Sequence, residues 1–320
     1  MGFKIRTFFQ KNYENLFIPE YLKEDFDFKW QKSMETDFFG EDKREDMSTQ
    51  LNLKKAPLHV IFSRRQPLAK SFISKQVHGT ILNHILKYDA HKEGDALFIQ
   101  GVLSSLGKED REPFYMTVKT ADCLSVVLYY LEDDVLLASN VHAGWRGYSS
   151  GILGASLDEM IKAASYFSLS REDILKSLNV LICPAIFAVS YECSIDVLRA
   201  LENHGEGLRD RVKKPQLFEK FFRKLCHVSE NFSHSKQLPE GKIFPDLQLL
   251  AMLELNCLGV PLESIEIIRE NTYSHPFFYS HRQDCRENTQ RGPSFRHFTN
   301  FFLPRLQNVS LPNVFNHVKS

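Results

Sequence analysis

The period of the apolar residues changes along the chain, and the changes mark out its elements. Over residues 1–55 aromatic and charged positions alternate, and the run Glu41-Asp42-Lys43-Arg44-Glu45-Asp46 has a solvated character, so this stretch reads as an appendage on the core. From His59 onward, β-rich runs follow at His59–Ser63, Ala96–Ile99, Phe114–Val118, Leu124–Leu131 and Val135–His142, separated by polar turns. They predict a sheet. After Gly147, Leu153, Leu157, Met160, Ile161 and Ala164 recur three or four apart, the stripe of a helix of about 15 residues that begins near Ser149 or Ser150.

Ser170-Arg171-Glu172-Asp173 has the form of a capping box, and Val180–Cys183 returns to strand character. Two charged surface helices are expected at Ile195–Asn203 and Gln216–His227, around a turn at His204-Gly205-Glu206-Gly207. A buried helix runs from Pro245 to Leu258 with Gly259 just past its end, the order that helix termini favour. Ser264–Arg269 reads as a strand and residues 270–296 as a polar loop rich in arginine and aromatics. The fold class that follows is α/β (α+β): a single layered domain over residues 56–320, with mixed β-sheets covered by helices and the appendage outside it.

Charge and composition narrow the partners. Lys+Arg and Asp+Glu stand at 40 each, so no net field draws the chain to nucleic acid or to an anionic membrane, and neither partner is expected. No apolar run approaches the ~18 residues of a bilayer span. Met1-Gly2-Phe3-Lys4-Ile5-Arg6 lacks the apolar core of a secretory signal, and the six cysteines are scattered with no C-x-x-C pair, which points to a cytoplasmic location and single thiols.

Three segments pair a metal-ligating residue with a glycine or turn residue at the end of a β-rich run: Gln76-Val77-His78-Gly79, Thr120-Ala121-Asp122-Cys123 and His142-Ala143-Gly144-Trp145-Arg146-Gly147. Their separations are too long for a zinc finger and suit ligands delivered by separate strands. Two imidazoles and a thiolate are a favourable set for zinc, and three protein ligands leave a fourth position for water. Spacing alone leaves open the alternative that these are buried core residues.

Together with Cys183-Pro184-Ala185, Tyr191-Glu192, Asp246-Leu247 and Phe277-Phe278-Tyr279-Ser280-His281-Arg282, the three segments resemble the laccase-domain family of purine nucleoside phosphorylases, also described as multicopper polyphenol oxidases, over about residues 60–300. The resemblance implies one zinc held by His78, Cys123 and His142, with copper as the alternative metal. It implies phosphorolysis of adenosine, inosine and methylthioadenosine, with inorganic phosphate as co-substrate, and adenosine deamination. Arg282 and Arg291 match arginines that border the substrate pocket, although His281, Gln283 and Gln290 depart from the family's residues. Phe62-Ser63-Arg64-Arg65 matches a strand end that makes Arg65, with Arg64 as the alternative, a further substrate-binding candidate. Only Gln66 to Lys75 then precede Gln76, where relatives insert several tens of residues that help enclose the nucleoside.

Beside the resemblance, the residues carry their own roles. Arg146 and Gly147, expected just before a helix, make an anion site of guanidinium and backbone N–H groups, with an Arg146–Asp122 ion pair as the alternative. Asp122 is a candidate to orient a ligating imidazole, or to cap a turn, and with Arg146 it forms the expected catalytic pair. Trp145 suits stacking on a purine or plugging the sheet edge. Gly79, Gly144 and Gly147 suggest positive φ or close backbone approach. Three rival readings are copper-dependent phenol oxidation, Cys123 as a nucleophile activated by His142, and an inactive zinc-stabilised binding module.

Overall fold

The strand Leu124–Glu132 shows why so many residues here are apolar without alternation. Leu124, Val126, Leu128 and Tyr130 pack into one core cluster with helices, while Val127, Tyr129 and Leu131 pack into a second cluster with another sheet. A strand covered on both faces has no polar side to display. The structure, a computed structural model, describes residues 2–6, 27–30, 38–39, 48–53, 58–64, 66–85, 92–103, 113–209, 211, 215–226, 241–287, 296–304 and 306–307.

In chain order the first strands are β1 (Gly2–Arg6), β2 (Asp27–Trp30), β3 (Phe38–Phe39), β4 (Ser48–Asn52), β5 (His59–Arg64), β6 (Ser71–Ile73), β7 (Leu82–His84) and β8 (Ala96–Leu103). Next come β9 (Phe114–Thr120), β10 (Leu124–Glu132), β11 (Val135–Ala143), β12 (Asn179–Ile182), β13 (Cys193–Ser194), β14 (Lys242–Ile243), β15 (Ile265–Ile268), β16 (His297–Leu303) and β17 (Leu306–Gln307). The α-helices are α1 (Trp145–Ser149), α2 (Ile152–Ala164), α3 (Arg171–Ser177), α4 (Ile195–Arg209), α5 (Pro215–Cys226), α6 (Leu247–Cys257) and α7 (His281–Glu287).

These elements make three layers of one α/β domain. A mixed nine-stranded sheet has the order β17-β8-β11-β10-β12-β15-β1-β2, with β7 also pairing β8, and a six-stranded sheet has the order β3-β4-β5-β16-β9-β6. Helices α2, α4, α5 and α6 pack on one face of the larger sheet, and the smaller sheet packs on the other. Within residues 1–55, β1 pairs in parallel with β15, and β4 pairs antiparallel with β5. Among the described residues no helix is long and apolar enough to cross a membrane.

Local chemistry sets several element ends. Ser170 and Asp173 form the expected capping box at α3. Asp246 caps α6 by accepting the Leu249 N–H (3.1 Å), so this helix starts at Leu247 rather than at Pro245, and Gly259 follows it with φ 107°. Two expectations are corrected. The turn at His204–Gly207 does not form: α4 runs through it, because Gly205 gives room to Phe222 of α5, whose Cε1 would lie 2.8 Å from an added Cβ. The stretch 270–296 is not all loop: the Ser280 hydroxyl accepts the Gln283 N–H (3.0 Å) and Gln283 bonds Glu287 (2.9 Å), supporting α7.

Candidate metal centre

Each crossing between the two sheets that leads toward this corner carries a ligand. His78 lies between β6 of the smaller sheet and β7 of the larger, Cys123 between β9 and β10, and His142 near the end of β11, opposite Ser125 of β10. One ligand atom from each residue lies within 4.8 Å of the other two. The three are 45 and 19 positions apart in the chain and meet only because both sheets end here.

Second contacts hold this geometry. The Gln76 side chain clamps the Lys119 backbone in both directions, Nε2 donating to the carbonyl (2.9 Å) and Oε1 accepting the N–H (3.0 Å), and so ties the His78 segment to the Cys123 segment. Buried Asp95 accepts the N–H groups of His78 (2.9 Å), Gly79 (2.7 Å) and Val77 (3.3 Å), and also the Nδ1–H of His142 (2.8 Å). That last bond places the His142 proton on Nδ1 and turns the Nε2 lone pair toward the centre. His78 (φ 60°) and Asp122 (φ 87°) sit in the left-handed region, a strain of ~1–3 kcal/mol each that the clamps sustain.

Gly144 provides the test of whether a metal fits. A Cβ on it would stand 3.0 Å from His78 Cδ2, 3.1 Å from Cys123 Sγ and 3.6 Å from His142 Nε2, so the missing side chain leaves the space on which the donors converge. At Gly147 an added Cβ would likewise stand 3.0 Å from the Gly79 carbonyl oxygen, so this too is a close approach. Gly144 (φ −61°) is extended backbone, and the positive φ values of this corner belong to His78 and Asp122. Electrostatics suit a cation. Burial pushes the Cys123 thiol up, but hydrogen bonds from His142 and His78 outweigh it and bring the thiol to about 6. Burial pulls His142 down, but its bonds to Asp95 and Cys123 raise it to about 9. Both shifts run toward a negative sulfur beside a positive imidazole, a charge pattern in which a divalent cation can take the place of the shared proton.

Two cavities meet at the triad and share His78, Ala121, Cys123 and His281 as a common wall. The first, of 280 Å³, is walled by Trp145, Arg146, Tyr191, Leu247 and Arg282. The second, of 420 Å³, is walled by Gln76, Lys119, Thr120, His142 and Arg296. Arg146 stacks over the Trp145 ring at 4.5 Å and Arg282 lies 5.7 Å from the Tyr191 ring, so each guanidinium of the first cavity stands on an aromatic.

Several expected roles change. The carboxylate that orients His142 is Asp95, which the sequence reading passed over; a buried Asp placed between Gly94 and the apolar run of β8 is the signal that could have found it. Asp122 accepts the Thr272 hydroxyl (2.8 Å) and the Arg282 N–H (2.7 Å), and burial raises its carboxyl despite these bonds. It therefore anchors the start of α7. Arg146 is not ahead of the long helix but inside the five-residue α1, which Gly151 (φ 87°) separates from α2. His281 enters both cavities at the position where the family resemblance expects tyrosine. Arg65 and Arg291 lie outside the described residues.

A family model described as multi-copper polyphenol oxidoreductase laccase matches residues 43–295, spanning all three ligands. The chain belongs to this family. A purine nucleoside phosphorylase of Clostridium acetobutylicum is 34% identical over 169 residues, 51% of this chain and 62% of the relative. A purine nucleoside phosphorylase of Xylella fastidiosa is 28% identical over 218 residues, 66% of each chain. The chain thus spans less than two thirds of the length of either relative. Among solved structures, the hypothetical protein YfiH of Bacillus licheniformis has a TM-score of 0.57 at 17% identity, covering 82% of this chain and 97% of its own. YlmD of Geobacillus stearothermophilus has a TM-score of 0.55 at 16% identity, covering 84% and 99%. These two likenesses show the family's fold.

Proposed function

We propose that this protein is a zinc-dependent purine nucleoside phosphorylase acting on adenosine and inosine, with methylthioadenosine and the deamination of adenosine as further reactions of the same cleft. The observation that carries this is the position of the His78–Cys123–His142 triad, open to a cavity that offers flat aromatic faces and two guanidiniums together. His78, Cys123 and His142 would hold the zinc, which when bound supplies Lewis-acid polarisation and acidifies water to a pKa of ~7, the chemistry required for loss of ammonia from adenine.

The chain's own residues do the rest. Trp145 and Tyr191 supply surfaces for the purine and Leu247 an apolar wall, held by Asp246 in its buried bidentate pair with Arg269. Arg146 and Arg282 face the hydrogen phosphate whose oxygen attacks C1′ of the ribose; the C1′–N9 bond breaks, its electron pair leaves with the base, the proton that hydrogen phosphate gives up goes to the base, and ribose 1-phosphate remains. Asp122 acts as a positioning residue, holding Arg282 at the cleft through its backbone N–H. The names of the two relatives support the same reading.

The family's name favours phenol oxidation as a second reading. Oxidation by several coppers needs several ligand sets, and among the described residues one group of three is gathered. The test is anaerobic incubation of metal-loaded protein with adenosine, inosine or methylthioadenosine, with and without phosphate. Free base and ribose 1-phosphate formed only with phosphate are expected. No base from any nucleoside at full metal loading refutes the reading, and oxygen uptake with phenols by the copper form supports the second.

A further inference from the structure

A third cavity, of 440 Å³, lies away from the metal triad, in the helix layer. Gly151, Ala155 and Asp158 at the start of α2 form one side, and His204, Gly207, Leu208 and Arg211 along and just past α4 form the other. Spacings of three, four and seven put each set on one helix face. The facing residues Gly151, Ala155 and Gly207 are small, so the two helices leave a gap here. A Cβ added at Gly207 would meet nothing within 4 Å.

His204 is built into this wall. Its side chain is 8% exposed, and its Nε2 bonds the fully buried Glu254 of α6 at 2.9 Å. That bond puts the imidazole proton on Nε2 and leaves Nδ1 as an acceptor with no partner among the described residues. The Nδ1 edge faces Gly151, where an added Cβ would stand 3.6 Å from Cε1 and 4.0 Å from Nδ1.

The other charges of the cavity cancel. Arg211 pairs with Asp158, and no further Lys, Arg, Asp or Glu lines it among the described residues. An anion meets no unpaired cation there, and the Glu254 carboxylate behind His204 repels it; a cation meets no unpaired carboxylate in the lining. Hydrogen-bonding capacity is what remains. The Ser150 hydroxyl and the Asn203 amide have no partner among the described residues, and the Arg211–Asp158 pair uses only one nitrogen and one oxygen. Planar groups of this kind span two adjacent hydroxyls: a guanidinium donates to both, a carboxylate accepts from both, and an amide does one of each.

We propose that this cavity is a second binding site, separate from the metal cleft, for an uncharged ligand with vicinal hydroxyls, either a free sugar or the ribose of a nucleoside. His204 Nδ1, Asn203, Ser150 and the Arg211–Asp158 pair hold the hydroxyls. The volume is ample for a sugar and sufficient for a nucleoside. The short helix α1 separates the two sites: Trp145 and Arg146 wall the cleft, Ser149 and Ser150 wall this cavity, and five helical residues span ~7.5 Å. Binding here requires neither the metal nor the phosphorylase reading.

The experiment is proton–carbon NMR of the histidine Cε1–H groups in the zinc-loaded full chain, in phosphate-free buffer. Loss of one signal in His204→Gln identifies that residue among the 12 histidines. D-ribose or inosine is expected to move the His204 signal saturably, while 2-deoxyribose and 2′,3′-dideoxyinosine bind about tenfold more weakly. Movement by both ribose and inosine assigns the sugar as the ligand, and movement by inosine alone assigns the nucleoside; either upholds the site. No movement by either up to ~50 mM, equal binding of the deoxy compounds, or a preference of about tenfold for ribose 5-phosphate over ribose overturns it. Asn203→Ala and Arg211→Gln should weaken binding about tenfold, and Arg146→Gln in the cleft should leave it within about twofold. Gly207→Met replaces a poor helix former with a good one, so it should fold, and its side chain should fill the gap and abolish binding. A His204 shift that survives Gly207→Met and is lost in Arg146→Gln would come from the cleft, and the proposal would fail.

Discussion

Asp95→Asn isolates the clamp on which the metal centre depends. Asp95 is 1% exposed, and its two oxygens divide four donors: Oδ1 takes His78 N–H and His142 Nδ1–H, and Oδ2 takes Gly79 N–H and Val77 N–H. An asparagine keeps one oxygen and puts an NH₂ in place of the other. Whichever way it turns, two donors then face a donor. If the oxygen stays with His142, Gly79 and Val77 lose their acceptor; if it turns to the loop, His142 loses the bond that fixes its tautomer. Two charge-assisted bonds at ~1.5–3 kcal/mol each put ~3–6 kcal/mol at risk, a large share of a typical ~5–15 kcal/mol stability. Because the bonds converge on two ligands, zinc affinity should fall about 10- to 100-fold, the usual effect of losing such a partner and equal to ~1.4–2.7 kcal/mol. Competition against a chelator of known affinity measures the first quantity and urea unfolding the second. Zinc affinity within about twofold of wild type, with an unchanged unfolding midpoint, would show that Asp95 does not organise the centre.

Three further predictions follow from single residues. Gly144→Ala suits its backbone (φ −61°, ψ 162°) but crowds His78 and Cys123 to about 3 Å, so the variant should fold and fail to retain stoichiometric zinc; full loading by elemental analysis refutes this. Trp145→Ala removes a stacking face worth ~1–3 kcal/mol per base and should raise KM for adenosine about tenfold or more with a smaller change in kcat, whereas an unchanged KM removes Trp145 from the substrate. His297 accepts the Tyr279 N–H on Nδ1 and donates from Nε2 to Thr120, and burial, helped by the positive Arg64, pulls it from 6.5 down to about 3. The unfolded chain therefore takes up a proton in that window and the native chain does not. The stability is fully present above about pH 6.5 and falls by up to ~1.4 kcal/mol per pH unit below it; His297→Gln should flatten that acid slope in urea unfolding, and an identical slope refutes the assignment.

Much of this architecture is legible in the sequence where one physical signal dominates. The Leu153–Ala164 stripe and the Ser170 cap are local properties, and α2 and α3 form where they predict. The continuous apolar run of β10 implies burial on two sides, but not that a helix layer lies on one and a sheet on the other. Failures come where a distant side chain decides. Gly205 reads as a turn until Phe222 is known to press against it, and α7 hides in an aromatic stretch because its cap, Ser280 with Gln283, is set within it. Asp122 adjoins a ligand in sequence, yet its backbone at φ 87° turns its carboxylate toward Thr272 and Arg282; Asp95, 17 residues beyond His78, reaches both imidazole-bearing segments.

The location of the triad bears on whether the metal is catalytic or structural, since the two roles need not exclude each other. His78 and Cys123 both lie on chain that passes from the smaller sheet to the larger, and His142 belongs to the larger sheet alone, so an ion bound here would clasp the two layers. Free zinc at a hundred times its Kd adds ~2.7 kcal/mol to stability by mass action. An unfolding entropy of ~2.1 cal/mol/K per residue gives ~0.7 kcal/mol/K for a chain of this length, so chelation should lower Tm by about 4 °C. That shift alone does not locate the clasp. Hydrogen exchange does: chelation should open amides at Val77–Gly79 and at the crossing from β9 to β10, next to the strand ends of both sheets, while the Asn179–Ile182 strand keeps its protection. Exchange that rises in one sheet only, or evenly through the molecule, would mean that the ion does not join the layers, and its contribution would then lie in the chemistry of the cleft alone.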